Sequence, residues 1–227
     1  MKCEQMSRKT LTGNLPLVLA ITGASGGVYA TRLLEMLLRA GREVHLTISP
    51  SGAAVIKQEL GITIDPARPD LANLLPADLD DSSHHTPRDE NLTRSVRPTV
   101  VCHHHDDFMA PIASGSFLTG GMVVCPCSGS TLSGIAHAAS MNLIQRAADV
   151  HLKERRKLIL VPRETPLSVL QIENMHRAAQ AGAVILPAMP GWYHGVQSVQ
   201  DLIDFVVARI LDQLDVPHEL MRRWGTP

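Results

Sequence analysis

A chain of 227 residues with 44% hydrophobic and 19% charged side chains has the length and apolar content of one folded domain, a globular class rather than a disordered chain. A formal net charge of −1 gives no general pull toward nucleic acid or anionic membranes, and no apolar run approaches membrane length. Residues 1–15 are mostly polar and carry Lys2, Arg8 and Lys9 without a hydrophobic segment, so they read as an amino-terminal tail rather than a secretory signal.

Residues 16–227 read as one domain. Leu17 to Thr22 is a short apolar run of the kind that forms a buried strand, and it ends at Gly23-Ala-Ser-Gly-Gly27. Leu33, Leu34, Leu37 and Leu38 recur at helical spacing and predict a helix from about Val28 to Ala40. Glu43 to Ile48 is the next strand, ending at Ser49-Pro-Ser-Gly52, and Ala53 to Leu60 is helical. That order predicts a right-handed βαβ unit. Residues 63–107 break the pattern. They are rich in Pro, Asp, Asn and His, with Asp78-Leu-Asp-Asp-Ser-Ser-His-His85 and His103-His-His-Asp-Asp107, and are expected to form a polar, solvated insertion. Gly120 to Cys125, Lys157 to Val161 and Ala183 to Leu186 are three further strands, each followed by a helix, the last from about Val199 to Leu214. The expected architecture is α/β, a doubly wound, mainly parallel sheet in three layers.

In such a sheet ligands bind outside the carboxyl ends of the strands. The turn after the first strand offers backbone N–H groups at a helix amino terminus, a seat for phosphate. It lacks the G-x-G-x-x-G fingerprint, and the second strand ends in Ser49 rather than an acidic residue, so a mononucleotide fits better than NAD. Cys125-Pro-Cys-Ser-Gly-Ser-Thr-Leu132 follows a strand in the same way. Ser128, Ser130 and Thr131 there supply hydroxyls for ordinary helix capping or for a ligand. Arg163 and Glu164 stand just past the strand that ends at Val161, facing the same edge. Arg146, Lys153 and Arg209 are further candidate anion-binding charges, although each also fits a solvated helix surface. The four cysteines, Cys3, Cys102, Cys125 and Cys127, read as reduced cytoplasmic thiols rather than a disulfide frame, and no second pair gives Cys125 and Cys127 metal-ligand spacing.

Taken together, these segments resemble the UbiX-type flavin prenyltransferases, formerly labelled phenylacrylic acid or octaprenyl-hydroxybenzoate decarboxylases. The likeness is carried by Thr22-Gly-Ala-Ser-Gly, Ala113-Ser-Gly-Ser-Phe, Gly121-Met-Val-Val-Cys-Pro-Cys-Ser, Arg146-Ala-Ala-Asp-Val-His-Leu-Lys-Glu-Arg-Arg and Val161-Pro-Arg-Glu-Thr-Pro-Leu. It runs from about Leu17 to Trp224, the insertion excepted. The resemblance implies a flavodoxin-like (Rossmann-like) fold. It also implies transfer of a dimethylallyl group from dimethylallyl monophosphate to N5 and C6 of reduced FMN, without a metal.

Carried over residue by residue, Gly23, Ala24 and Ser25 line the FMN phosphate, and Ser49, Ser128, Gly129, Ser130, Thr131 and Arg163 contact the flavin. Tyr193, Arg209, Lys153, Arg146 and Ser114 match substrate contacts, with Trp224 as a carboxyl-terminal aromatic near the site. Glu164, Lys153 and Tyr193 match catalytic positions. The resemblance further implies a homo-oligomer, a dodecamer, whose product goes to a UbiD-type decarboxylase. Two departures stand out: Gly129-Ser130-Thr131 follows Cys-Pro-Cys-Ser where a bulky residue and Lys-Thr are usual, and Gly195-Val196 replaces a common proline. The rival readings are a flavin-dependent cysteine decarboxylase, whose Pro-x-Met-Asn signature is absent here, a direct aromatic-acid decarboxylase, and a non-catalytic FMN carrier.

Overall fold

The computed structural model describes residues 15–65, 74–76 and 99–225. Six strands form one sheet: β1 (Leu17–Ile21), β2 (Val44–Ile48), β3 (Val100–His103), β4 (Gly121–Cys127), β5 (Leu158–Pro162) and β6 (Val184–Ile185). Their spatial order is β3-β2-β1-β4-β5-β6, and every pairing is parallel. The doubly wound sheet expected from the sequence is therefore present, and it is wholly parallel among the described strands. The chain builds outward from β1 to β3, then returns to the other side of β1 as β4. The crevice between the carboxyl ends of β1 and β4 is the topological switch point, where such sheets bind ligands.

All five residues of β1 and all seven of β4 are buried, as a parallel sheet covered on both faces requires. Side chains alternate between two cores. Leu19, Leu46, Val123 and Ile159 point toward helices α1 (Gly27–Arg39), α2 (Pro50–Leu60) and α6 (Val199–Gln213). Val18, Ala20, Met122 and Leu160 point toward α3 (Gly129–Ala136), α4 (Leu143–Lys153) and α5 (Val169–Gln180). The Leu33, Leu34, Leu37 and Leu38 stripe of α1 is buried as its spacing predicts, and Arg32 pins α1 to α6 through two bonds to Asp204 at 2.8 and 3.1 Å. α2 starts earlier than expected because Pro50 suits a first helical position and the Ser49 hydroxyl accepts the Gly52 N–H at 3.0 Å.

One expectation is corrected. Residues 63–107 are not all solvated loop: Val100 to His103 form β3 at the sheet edge. His103 is buried, with its Nε2 2.8 Å from His45 Nδ1. Asp78 to His85 lie outside the described residues. β6 is shorter than expected, two residues instead of four.

Candidate functional site

Three turns meet at the carboxyl edge of β1, β2 and β4. The Thr22 hydroxyl donates to Pro126 O at 2.8 Å and accepts the Ser128 N–H at 2.8 Å, tying the ends of β1 and β4 together. A Cβ on Gly52 would lie 2.6 Å from Ile21 O, so only glycine lets the β2–α2 turn close onto β1. Ser128 caps α3, and its hydroxyl lies 3.2 Å from that of Ser130 and 3.0 Å from that of Thr131. Arg163, just past β5, donates through Nε to Ser25 O at 3.0 Å and so crosses the switch point from β5 to the β1 turn. Ser25, Ser49, Ser128, Ser130, Thr131 and Arg163 thus share one edge.

Glu59, in the last turn of α2, is a residue the motifs did not single out. Its carboxylate accepts the Gly26 N–H at 3.1 and 3.0 Å and the Gly27 N–H at 2.8 Å, so it occupies the α1 amino terminus expected to seat phosphate. Burial opposes its ionisation, but the Ser25 hydroxyl, the two amides and Arg163 together hold its carboxyl below the usual range. A phosphate at those amides would meet a carboxylate already there. At α3 the capping hydroxyl takes the Thr131 N–H, which leaves the amides of Gly129 and Ser130 at the helix start to face the edge. In the sequence Glu59 looks like an ordinary surface charge two residues before Gly61, and no local signal distinguishes it.

Glu164 follows Arg163 and is exposed. One carboxylate oxygen accepts the Thr165 N–H at 3.3 Å, the other the Gln171 Nε2–H at 3.3 Å. Beyond β6 lies an aromatic corner. The Tyr193 ring meets Trp224 (centroids 5.4 Å) and Phe205 (5.7 Å) edge-on, and His194 stacks on Phe205 at 5.2 Å. Tyr193, His194, Gly195 and the segment from Arg222 to Gly225 line an open cleft of about 500 Å³. Arg209, one turn along α6 from Phe205, bonds Asp212 at 2.7 Å, a carboxylate that also takes Arg223 at 2.9 Å.

Ser114 and Lys153 are not brought to this edge, and Arg146, near the start of α4, makes no bond to it. The chain descends from β3 past Ser114 to the start of β4 at the opposite, amino-terminal edge of the sheet. There Thr119 bonds His151, and Arg156 bonds the carbonyls of Gly115 and Phe117. Arg146 is anchored to Ala113 O at 3.1 Å and to Asp149 at 3.1 Å, and Lys153 lies 3.6 Å from Glu154. Within one chain these three residues and the Arg163–Ser25 edge are separate groups. Cys125 and Cys127 are buried, and burial pushes both thiols up, that of Cys127 to about 12, so neither is a thiolate nucleophile.

A family model described as Flavoprotein matches residues 5–211 of the chain. The Flavin prenyltransferase UbiX of Pseudomonas aeruginosa is 45% identical over 215 residues, which cover 95% of this chain and 96% of that protein. Among solved structures, AnUbiX (PadA1) in complex with FMN and dimethylallyl pyrophosphate superposes with a TM-score of 0.77 at 37% identity, covering 94% of this chain and 98% of that one. A dodecameric FMN-dependent UbiX-like decarboxylase from Escherichia coli O157:H7 superposes with a TM-score of 0.75 at 38% identity, covering 93% and 100%.

Proposed function

The chain belongs to the Flavoprotein family and is a UbiX-type flavin prenyltransferase, and from that premise we propose how its residues divide the work. The carboxyl edge of β2, β1, β4 and β5 would hold FMN. Ser49, Arg163 and the Gly23-Ala24-Ser25 turn would line the flavin, and Ser128 to Thr131 would hold its phosphate. Glu59 supports that placement, because it already fills the α1 amino terminus with negative charge. Reduced FMN supplies N5 and C6, the positions that receive the dimethylallyl group of dimethylallyl monophosphate.

The remaining residues act on the allylic phosphate. Ionisation of that ester is easier when cations hold the leaving group, a role for Arg146, Lys153 and Arg209. Tyr193 and Trp224, edge to face, form an aromatic wall that would offer its π-electrons to the allylic cation. Glu164 moves the proton released as the new ring closes. Monophosphate held in this way requires no metal.

Two copies of the chain supply one site. Ser114 and Lys153 lie away from the flavin edge of their own chain and Arg146 makes no bond to it, so these residues serve the edge of a neighbour. A dodecameric relative supports a homo-oligomer, as do Val169 and Leu170, each 70% exposed, and Met141, 74% exposed. The product passes to a UbiD-type decarboxylase. The free, buried Cys125 and Cys127 suit a reducing cytoplasm, and no helix among the described residues is long and apolar enough to cross a membrane.

The observation that carries this reading is the convergence of Arg163, Ser25 and the Ser128–Thr131 turn at the switch point. Anaerobic incubation with reduced FMN and dimethylallyl phosphate, followed by mass spectrometry of the extracted flavin, tests it. Flavin heavier by one dimethylallyl unit in the native protein, and unchanged in Glu164→Gln, is the expected result. Unaltered FMN from the native protein would overturn it.

A further inference from the structure

We propose that Gln171 is a positioning residue that aims a hydrogen-bond donor at Glu164 and keeps its carboxylate an acceptor. The inference rests on the reading of Glu164 as the group that moves the proton. A glutamine amide can face either way, and only its hydrogen bonds decide which end is oxygen. Here they decide it. Gln171 is the third residue of α5 and forms a capping box with Ser168: its own N–H donates to the Ser168 hydroxyl at 3.2 Å, and the Ser168 N–H donates to Gln171 Oε1 at 2.9 Å. Because a backbone N–H can only donate, that end of the amide must be the carbonyl. The NH₂ is therefore directed at Glu164 Oε2, 3.3 Å away.

The other Glu164 oxygen takes the Thr165 N–H, so both oxygens accept and neither donates. α3 backs the amide from the far side. A Cβ at Gly129 would sit 3.2 Å from Gln171 Nε2, so the glycine that departs from the family pattern leaves the space the amide uses. Charged neighbours do not replace this contact. Arg163 is turned to Ser25, the first turn of α3 (Gly129, Ser130, Thr131) carries no charge, and the next charge along α5 is Glu173. Among the described residues Glu164 has no ion pair, so the neutral Gln171 amide is the side chain that meets it.

Gln171→Glu separates positioning from structure. Ser-x-x-Glu is as good a capping box as Ser-x-x-Gln, so α5 keeps its start. The N–H facing Glu164 is replaced by a carboxylate oxygen. The acid limb of the prenyl-transfer pH profile should then move up by about one pH unit, as a like charge and a lost donor both dictate, while the thermal midpoint stays at the native value. Gly129→Ala, which crowds the amide from the other side, should move the same limb by less. Glu164→Gln is measured alongside. If Glu164→Gln is slow but the Gln171→Glu profile superimposes on the native one, the role of Gln171 is overturned and that of Glu164 stands. If Glu164→Gln keeps the native rate and profile, both fall together.

Discussion

Glu164 and Tyr193 should each be separable from flavin binding. Glu164→Gln keeps the shape and loses the proton-transfer group, so single-turnover prenyl transfer should slow by about 10²- to 10⁴-fold while FMN still co-purifies. Tyr193→Phe keeps the ring against Trp224 and Phe205 and should slow transfer by a smaller factor, with FMN retained. FMN loss preceding loss of rate in either variant would overturn that division. Glu59 makes a different kind of contribution. Its carboxyl is held below the ordinary range in the folded protein, so it stabilises the fold above the unfolded-state value of about 4.3 and ceases to do so as pH falls through the lower folded value. Glu59→Ala should cost about 1 kcal/mol in urea denaturation at pH 7, a capping contribution discounted for exposure. Glu59→Gln should flatten the acid end of the stability profile.

At the scale of elements, His151 shows how α4 is fixed to the segment that leads into β4. Its Nδ1 bonds Ala147 O at 2.7 Å and its Nε2 bonds Thr119 Oγ1 at 2.8 Å, an arrangement complete for a neutral ring with the proton on Nδ1. Burial pushes its pKa down to about 4; the Ala147 carbonyl opposes this and Arg156 adds to it. The unfolded chain therefore takes up a proton near pH 6.5 that the folded chain refuses until about 4. Stability should decline as pH falls through that window, and chemical denaturation of His151→Asn across it should show a shallower slope. Which elements were legible followed from burial. β1, β2, β4 and β5 are apolar runs ended by Gly, Ser or Pro, and that pattern reads directly. β3 hid because Val100, Val101 and Cys102 are only partly covered at the sheet edge and sit beside polar sequence. Glu59 hid because its partners, Gly26 and Gly27, are more than thirty residues away.

For the whole molecule, the main fact is that the motifs divide between two edges of one sheet. Sequence motifs name residues but not the copy of the chain that brings them together, so Lys153 and Glu164 read alike as site residues and only the topology parts them. A shared site predicts complementation. Lys153→Ala and Glu164→Gln should each be slow alone, yet oligomers assembled from both should recover part of the native activity, because some interfaces pair two intact halves. Absence of recovery in mixed oligomers confirmed by native mass spectrometry would place each site within one chain. Leu170→Glu, a charge in the exposed apolar start of α5, should shift sedimentation toward smaller species and remove prenyl transfer in parallel.

The Glu59 carboxylate also bears on turnover. Helix amino termini that grip a ligand are left with unmet donors when it departs, and water must replace it before the next cycle. Here the amides of Gly26 and Gly27 are satisfied from within the chain by the Glu59 carboxylate. The start of α1 therefore needs no ligand to satisfy its first two amides.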